Sequence, residues 1–484
     1  MTKISKINFI LFLFTLIILS IFCLLIDNFY FGIAFSLWII LFIYSLLDIS
    51  NRSLLFGFCI TFFIFLLGRE FVQVVLSFQV ENFPERINNH AYILYILSLF
   101  TFLLSYPIFS RNKKLSKLNN NFNKSNKRNV KKITIIRNIS KFYFFVTLFF
   151  AIFSKISAAR FVLSNSYFEY YTEYLNLYSE NIIMSVFSFV ERMMPVALSV
   201  FLAASPTKKE TKYPLVSYII YLIISLATGA RSTFMLGILF IFIYFIFRNN
   251  IDEDDKWLNK KSILIFIILI PITIFLATTI SFLREGNDIS NLGFLDAIYK
   301  FVYDQGVTSN IIKRSFAFKE LLNSNKLYTL EFLRSGIFAR ILGIDVYYGN
   351  TYEHAMYGGS FAHSIGFILL GDNYLSGRGT GSSYIAEFYQ DFGYFGAIIG
   401  SIFYSYLISK VELSNRSNEN IFKKSIFLFL VQRILWAPRG SFSDIISSVF
   451  SYPTLLIIIT IYLSYKFYND LIISRNIFKE FEYD

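Results

Sequence analysis

Apolar residues run along this chain in long blocks separated by short polar turns, not in the stripes of period 2 or 3.6 that mark a half-buried strand or an amphipathic helix. A helix needs roughly 20 mostly apolar residues to cross the hydrocarbon core of a bilayer. Twelve blocks can be drawn against that length. The first six are approximately Ile7–Ile26, Phe29–Leu47, Leu54–Phe71, Ala91–Ser110, Phe142–Ser154 with some continuation, and Ile183–Ala203. The second six are approximately Leu215–Thr228, Ser232–Phe247, Ile263–Phe282, Phe392–Ile408, Ile426–Trp436 and Ser443–Leu463. The pattern predicts an all-α polytopic integral membrane protein. The first block lacks the short apolar core and small-residue cleavage site of a secretory signal, so it reads as a retained span.

Short loops between the blocks fix an expected orientation. The segment Arg111–Lys141 carries eleven Lys and Arg and no Asp or Glu, which marks it as cytoplasmic by the positive-inside rule. Counting spans outward from it puts both termini inside. The basic turns at Lys208, Lys209 and Lys212, at Lys256, Lys260 and Lys261, and at Lys423 and Lys424 agree. Three regions follow: residues 1–283 with spans one to nine, one large external loop over 284–391, and residues 392–484 with spans ten to twelve. Loops of that size are usually functional. This one contains the helix-like stretches Ile311–Leu322 and Tyr328–Leu342, and an apolar run, Ser360–Leu370, that is too short to span. No internal repeat supports an inverted-repeat transporter.

Composition agrees with the block pattern: 55% of residues are hydrophobic and 16% are charged. The net charge of +13 is concentrated in the short loops, where it sets topology, so no nucleic-acid partner is expected. Cys23 and Cys59 both sit inside apolar blocks and provide neither a disulfide framework nor a zinc cluster. The turn Asp252-Glu-Asp254 matches the metal-binding pattern of nucleotide-sugar transferases, but no α/β domain surrounds it. No metal and no cofactor is expected.

Candidate chemistry lies on the outward side. Arg231 in Thr228-Gly-Ala-Arg-Ser-Thr233, Arg284 in Ser281-Phe-Leu-Arg-Glu-Gly286, Arg378 in Ser376-Gly-Arg-Gly-Thr-Gly-Ser-Ser383, and Arg439 in Pro438-Arg-Gly-Ser441 each stand at or near the external end of an apolar block. Ser232 is the expected N-cap beside Arg231, at a helix start that favours an anion. Converging guanidinium groups suit a pyrophosphate; the competing explanation is that each arginine snorkels to lipid headgroups. Arg192 and Arg433, inside blocks, are expected to pair within the bundle, Arg192 with Glu191 or another carboxylate. Glu387 and Asp391 are four residues apart and share a helix face, where each raises the other's pKa toward that of a general base. The competing explanation is a solvated acidic helix end. His363, in Gly359-Ser-Phe-Ala-His-Ser-Ile-Gly366, is an alternative base.

The segment Gly377–Gly400, with Gly-Arg-Gly-Thr-Gly-Ser-Ser, Ile385-Ala-Glu387 and Asp391-Phe-Gly-Tyr-Phe-Gly, resembles the end of the large periplasmic loop of Wzy-type O-antigen polymerases. Thr228-Gly-Ala-Arg-Ser232 and the span ending Phe282-Leu-Arg-Glu-Gly286 are similar to that family as well. The resemblance implies an inverting, metal-independent glycosyltransferase of GT-C-like architecture in the inner membrane. Its donor and acceptor are undecaprenyl-pyrophosphate-linked glycans, its surroundings membrane lipid, and a chain-length regulator a further partner. Carried onto this sequence, Arg231, Arg284 and Arg378 bind the donor pyrophosphate, and Glu387 or His363 takes the acceptor proton. The related O-antigen ligases rely on a loop histidine, so His363 leaves polymerase and ligase both open; a lipid-linked oligosaccharide flippase is the rival from another class.

Overall fold

The computed structural model describes residues 28–79, 81–111, 127–165, 181–229, 231–251, 256–259, 271–276, 293–322, 325–416 and 420–481, with a few isolated positions between them. Among the described residues every regular element is helical. Among these residues eight helices are long and apolar enough to cross a membrane: Phe29–Leu46, Ser53–Val74, Glu85–Ser110, Val130–Ser164, Ile182–Ala203, Arg231–Asn249, Tyr384–Arg416 and Ser443–Leu471. They coincide with eight of the twelve apolar blocks. The blocks at Leu215–Thr228 and Ile426–Trp436 are helical too, within Lys208–Ala227 and Ile421–Trp436. The block Ile7–Ile26 and part of Ile263–Phe282 lie outside the described residues, as do Cys23, the Asp252–Asp254 turn and Arg284.

Two boundaries differ from the sequence reading for identifiable reasons. The segment Arg111–Lys141 is not a loop throughout: a single helix runs over Lys127–Ser164, because Lys and Arg are good helix formers and nothing between them breaks the turn. The tenth span begins earlier than expected, at Tyr384, and is interrupted at Gly393, whose φ of 61° and ψ of −152° only glycine adopts easily. Glu387 and Asp391 therefore sit on a short helical lead-in before the apolar stretch.

The chain divides into two compact units. The first comprises Met1–Arg111, Phe242–Glu412 and Gln432–Ile445; the second comprises Asn112–Ile241, Leu413–Val431 and Ile446–Asp484.

In the second unit the Lys127–Ser164 helix packs against Ile182–Ala203, Lys208–Ala227 and the last helix. Arg137 pairs with Glu210 at 2.8 Å, and Glu210 also closes a capping box with Thr207. Glu191 is held by Lys155 at 2.8 Å, with Ser154 and Tyr221 donating to the same carboxylate. The expected partner Arg192 is instead exposed, and its Nε donates to the Ser188 carbonyl. Adjacent positions on a helix point about 100° apart, so Glu191 and Arg192 could not face the same neighbour.

In the first unit, small hydroxyl residues let the Glu85–Ser110 and Tyr384–Arg416 helices approach closely, as is common between membrane helices. Ser98 meets the Tyr384 hydroxyl at 2.8 Å and Ser401 at 2.9 Å, and Ser105 donates to Ser405 at 2.8 Å. Further along, Tyr106 donates to the buried Glu412, whose other oxygen accepts the backbone amides of Leu54 and Leu55. Glu412 thereby satisfies two of the free N–H groups that open the Ser53–Val74 helix. Free Cys59 is buried inside that helix.

The described part of the long segment 284–391 folds onto this unit as a chain of short helices: Phe294–Gln305, Val307–Ala317, a 3-10 turn over Tyr328–Arg334, Gly336–Leu342, Tyr352–Tyr357 and Phe361–Leu370. The apolar run read as too short to span is the last of these, ten residues long.

Candidate active site

Glu387 is fully buried. Ser382 donates to its Oε1 at 2.6 Å, and the Phe442 amide donates to its Oε2 at 2.9 Å. The charged neighbour that crowds it is not Asp391, as the shared helix face suggested, but Glu331, brought in by the 3-10 turn. Ser441 stands between the two, donating to Glu331 Oε2 at 3.1 Å and bonding to Glu387 as well. Asp444 and Ser360 complete the surroundings of Glu331. Burial, reinforced by the Asp444 charge, pushes the Glu331 carboxyl up to about 7, against the hydrogen bonds from Ser360 and Ser441. A carboxyl poised there exchanges a proton near neutrality.

Asp391 has a different set of partners. Its two oxygens accept the amides of Tyr328 and Thr329 and the Thr329 hydroxyl, at 2.7–2.9 Å. These bonds cap the start of the 3-10 turn that carries Glu331, so Asp391 acts on the site by holding that turn.

His363 lies in the next cluster. Its Nδ1 contacts the Tyr374 hydroxyl at 2.7 Å, and its ring stacks on His354 with centroids 3.7 Å apart. Burial, with His354 alongside, lowers His363 to about 4. Burial also lowers His354, partly countered by the Gly349 carbonyl at its Nδ1. Both imidazoles are neutral at physiological pH. Nearby, the buried Lys326 donates to the Ala355 carbonyl at 3.2 Å and Arg334 donates to the Tyr357 carbonyl at 2.9 Å.

The four arginines read from the sequence have separate fates. Arg378 is exposed on a glycine-rich turn, where Gly377 and Gly381 adopt φ of 96° and 82°. Asn350 fastens that turn by donating to the carbonyls of Tyr374 and Arg378, which ties it to the histidine pair through Tyr374. Arg439 donates from Nη1 to the backbone and side-chain oxygens of Gln305 and lies over Phe65 and Trp436. It thereby fixes the turn that delivers Ser441 and Phe442 to the carboxylates. Arg231 belongs to the second unit and opens the Arg231–Asn249 helix, one residue before the expected start, so Ser232 is already in the first turn and is not the N-cap. Arg284 lies outside the described residues.

A buried polar network that the sequence did not single out underlies this site. Lys313 pairs with Glu70 at 2.6 Å, both side chains 3% exposed. Tyr92 and Ser309 donate to the same carboxylate. The neighbouring Arg69 pairs with Glu81 at 2.6 Å and donates to the Tyr303 carbonyl. Gly306 permits this approach, because a Cβ there would stand 2.5 Å from the Arg69 Cβ and 2.8 Å from its backbone nitrogen. In the sequence, the available signal was a charged dipeptide, Arg69-Glu70, at the end of an apolar block.

Among the described residues no group of three or more His, Cys, Asp or Glu side chains has the arrangement of a metal site. No curated protein and no solved structure matches this chain. The family model described as O-antigen polysaccharide polymerase Wzy matches residues 5–470, nearly the whole length. With its run of membrane-crossing helices, this multi-pass membrane protein belongs to the O-antigen polysaccharide polymerase Wzy family.

Proposed function

We propose that this chain polymerises polyprenyl-pyrophosphate-linked oligosaccharide repeat units into a surface polysaccharide, at the outer face of the cytoplasmic membrane, with Glu331 as the proton acceptor. A hydroxyl of the acceptor unit attacks the anomeric carbon of the donor glycan. The bond from that carbon to the pyrophosphate oxygen breaks, polyprenyl pyrophosphate leaves, and the hydroxyl proton passes to Glu331. The observation that carries this reading is the Glu331–Glu387 pair joined by Ser441. Of the candidate bases, Glu387 is sealed from solvent, and His363, lowered to about 4, is a poor acceptor at neutral pH. Glu331 is only partly buried and is the group tuned near 7. Glu387 then serves to hold Ser441 and to keep a proton on the pair.

Family membership supports polymerisation over ligation or flipping. The basic short loops support placing residues 284–391 outside. The test is complementation of a strain deleted for this gene, read as glycan length on a gel. Wild type should restore a ladder of repeats, while the empty vector and Glu331→Gln should leave single units. Full-length polymer in the deletion strain would remove the polymerase assignment, and full-length polymer with Glu331→Gln would remove Glu331 as base.

A further inference from the structure

The 3-10 turn that carries Glu331 also carries Arg334, and Lys326 lies just before it. Both cations reach the short Tyr352–Tyr357 helix, Lys326 at the Ala355 carbonyl and Arg334 at the Tyr357 carbonyl. Capping a helix C-terminus accounts for one donor of each. A lysine has three donors and an arginine five, so most remain for another acceptor. Lys326 is 7% exposed, and the like-charged Arg334 acts on it unfavourably. Among the described residues, neither cation, nor His354 or His363, has a carboxylate partner. A buried ammonium beside another cation is costly unless an anion completes the set.

The backbone is shaped to bring these groups together. Gly359, at φ of 80°, packs against Arg334, where a Cβ would stand 2.8 Å from its Cδ. A Cβ at Gly358 would overlap the His354 ring. The next residue, Ser360, bonds to Glu331. Arg334, the His354 ring and the Glu331 carboxyl therefore flank one three-residue stretch, Gly358 to Ser360.

We propose that Lys326 and Arg334, with the stacked His354 and His363 beside them, form the site for the pyrophosphate of the donor glycan. This rests on the polymerase reading above and deepens it. The donor pyrophosphate is bonded to the carbon under attack, so it has to lie close to the group that takes the acceptor proton, whereas the acceptor's own pyrophosphate is separated from its reacting hydroxyl by the length of a repeat unit. The backbone of the Arg378 turn is tied to this cluster through Asn350 and Tyr374.

The test is calorimetric binding of inorganic pyrophosphate to the purified full-length protein in neutral detergent, repeated with phosphatidylglycerol added. Arg334→Gln, at an exposed position, and Lys326→Met are compared with wild type, and thermal melting reports whether each folds. Loss of one charge-assisted bond should weaken binding about tenfold or more. Wild-type affinity in Arg334→Gln, or no pyrophosphate binding by wild type at millimolar concentration, overturns the proposal. Displacement of pyrophosphate by phosphatidylglycerol, with both variants binding that lipid less, makes the cluster a headgroup site and overturns the donor assignment. Normal pyrophosphate binding that the variants lose, in a protein without polymerising activity, retains the anion site and sinks the polymerase reading instead.

Discussion

Glu331 and Glu387 meet across the hydroxyl of Ser441, although one is carried by a 3-10 turn in the long loop and the other by the lead-in to a membrane-crossing helix. With two carboxyls on one hydroxyl and Asp444 nearby, full ionisation of the cluster is disfavoured, and a proton is retained close to neutral pH.

That retention has a pH signature. Glu331 lies at about 7 in the folded protein against an ordinary 4.5. Between those values the folded chain keeps a proton that the unfolded chain has released, so this group's contribution to stability falls as pH rises through the window and is gone above about 7. Glu331→Gln should flatten that fall in thermal melts of the detergent-solubilised protein between pH 4.5 and 7. A wild-type melting profile unchanged by the substitution would contradict the assignment. The same variant should lose about a hundredfold to ten-thousandfold in chain extension, the usual contribution of a positioned general base.

His363 predicts the opposite slope. Its folded value of about 4 lies below the ordinary 6.5, so its contribution is complete above pH 6.5 and is lost as pH falls toward 4. His363→Gln should gain stability relative to wild type at pH 5 and retain chain extension at pH 7 within about tenfold, below the usual range for losing a general base. A dead His363→Gln that folds normally and still binds pyrophosphate would return the base to histidine.

Asp391 should behave as an anchor. Asp391→Ala removes three hydrogen bonds from the start of the Tyr328–Arg334 turn, at roughly 1–3 kcal/mol for each donor left buried and unsatisfied. Limited proteolysis should then cut near residues 323–330 faster than in wild type. Unchanged cleavage would show that the turn is held by other contacts.

The Lys313–Glu70 pair offers a stability test independent of catalysis. Breaking a buried ion pair from one side costs about 3–5 kcal/mol, while replacing both partners with apolar residues is often neutral. Lys313→Met alone should therefore lower the melting temperature more than Lys313→Met combined with Glu70→Met. If the double variant is the less stable, the pair contributes more than a compensated burial.

The helical membrane architecture was legible because apolar blocks of bilayer length have few alternatives. Glu387 was conspicuous because it stands in a short motif at a helix start. Glu331 was not: in Tyr328-Thr-Leu-Glu-Phe-Leu-Arg334 it reads as an ordinary polar position on a short helix, and only the return of the chain at Ser441, 110 residues later, gives it a partner. Lys326 and Lys313 were hidden for the same reason, since a lysine's burial is set by tertiary packing that local pattern does not record. Arg439 was recognised as a special position, but its partner Gln305 lies 134 residues away, so its fastening role could not be read from the motif.

Arg69 and Glu70 are neighbours in sequence, yet one engages Glu81 and Tyr303 and the other engages Lys313 and Ser309. Two successive helices of the long loop are thus riveted to a single turn of the Ser53–Val74 helix, and the second cannot lift without stranding the Lys313 and Glu70 charges away from water. That half of the loop moves with the bundle. On the opposite half, over residues 336–357, Ile341, Tyr348 and Tyr357 face outward instead.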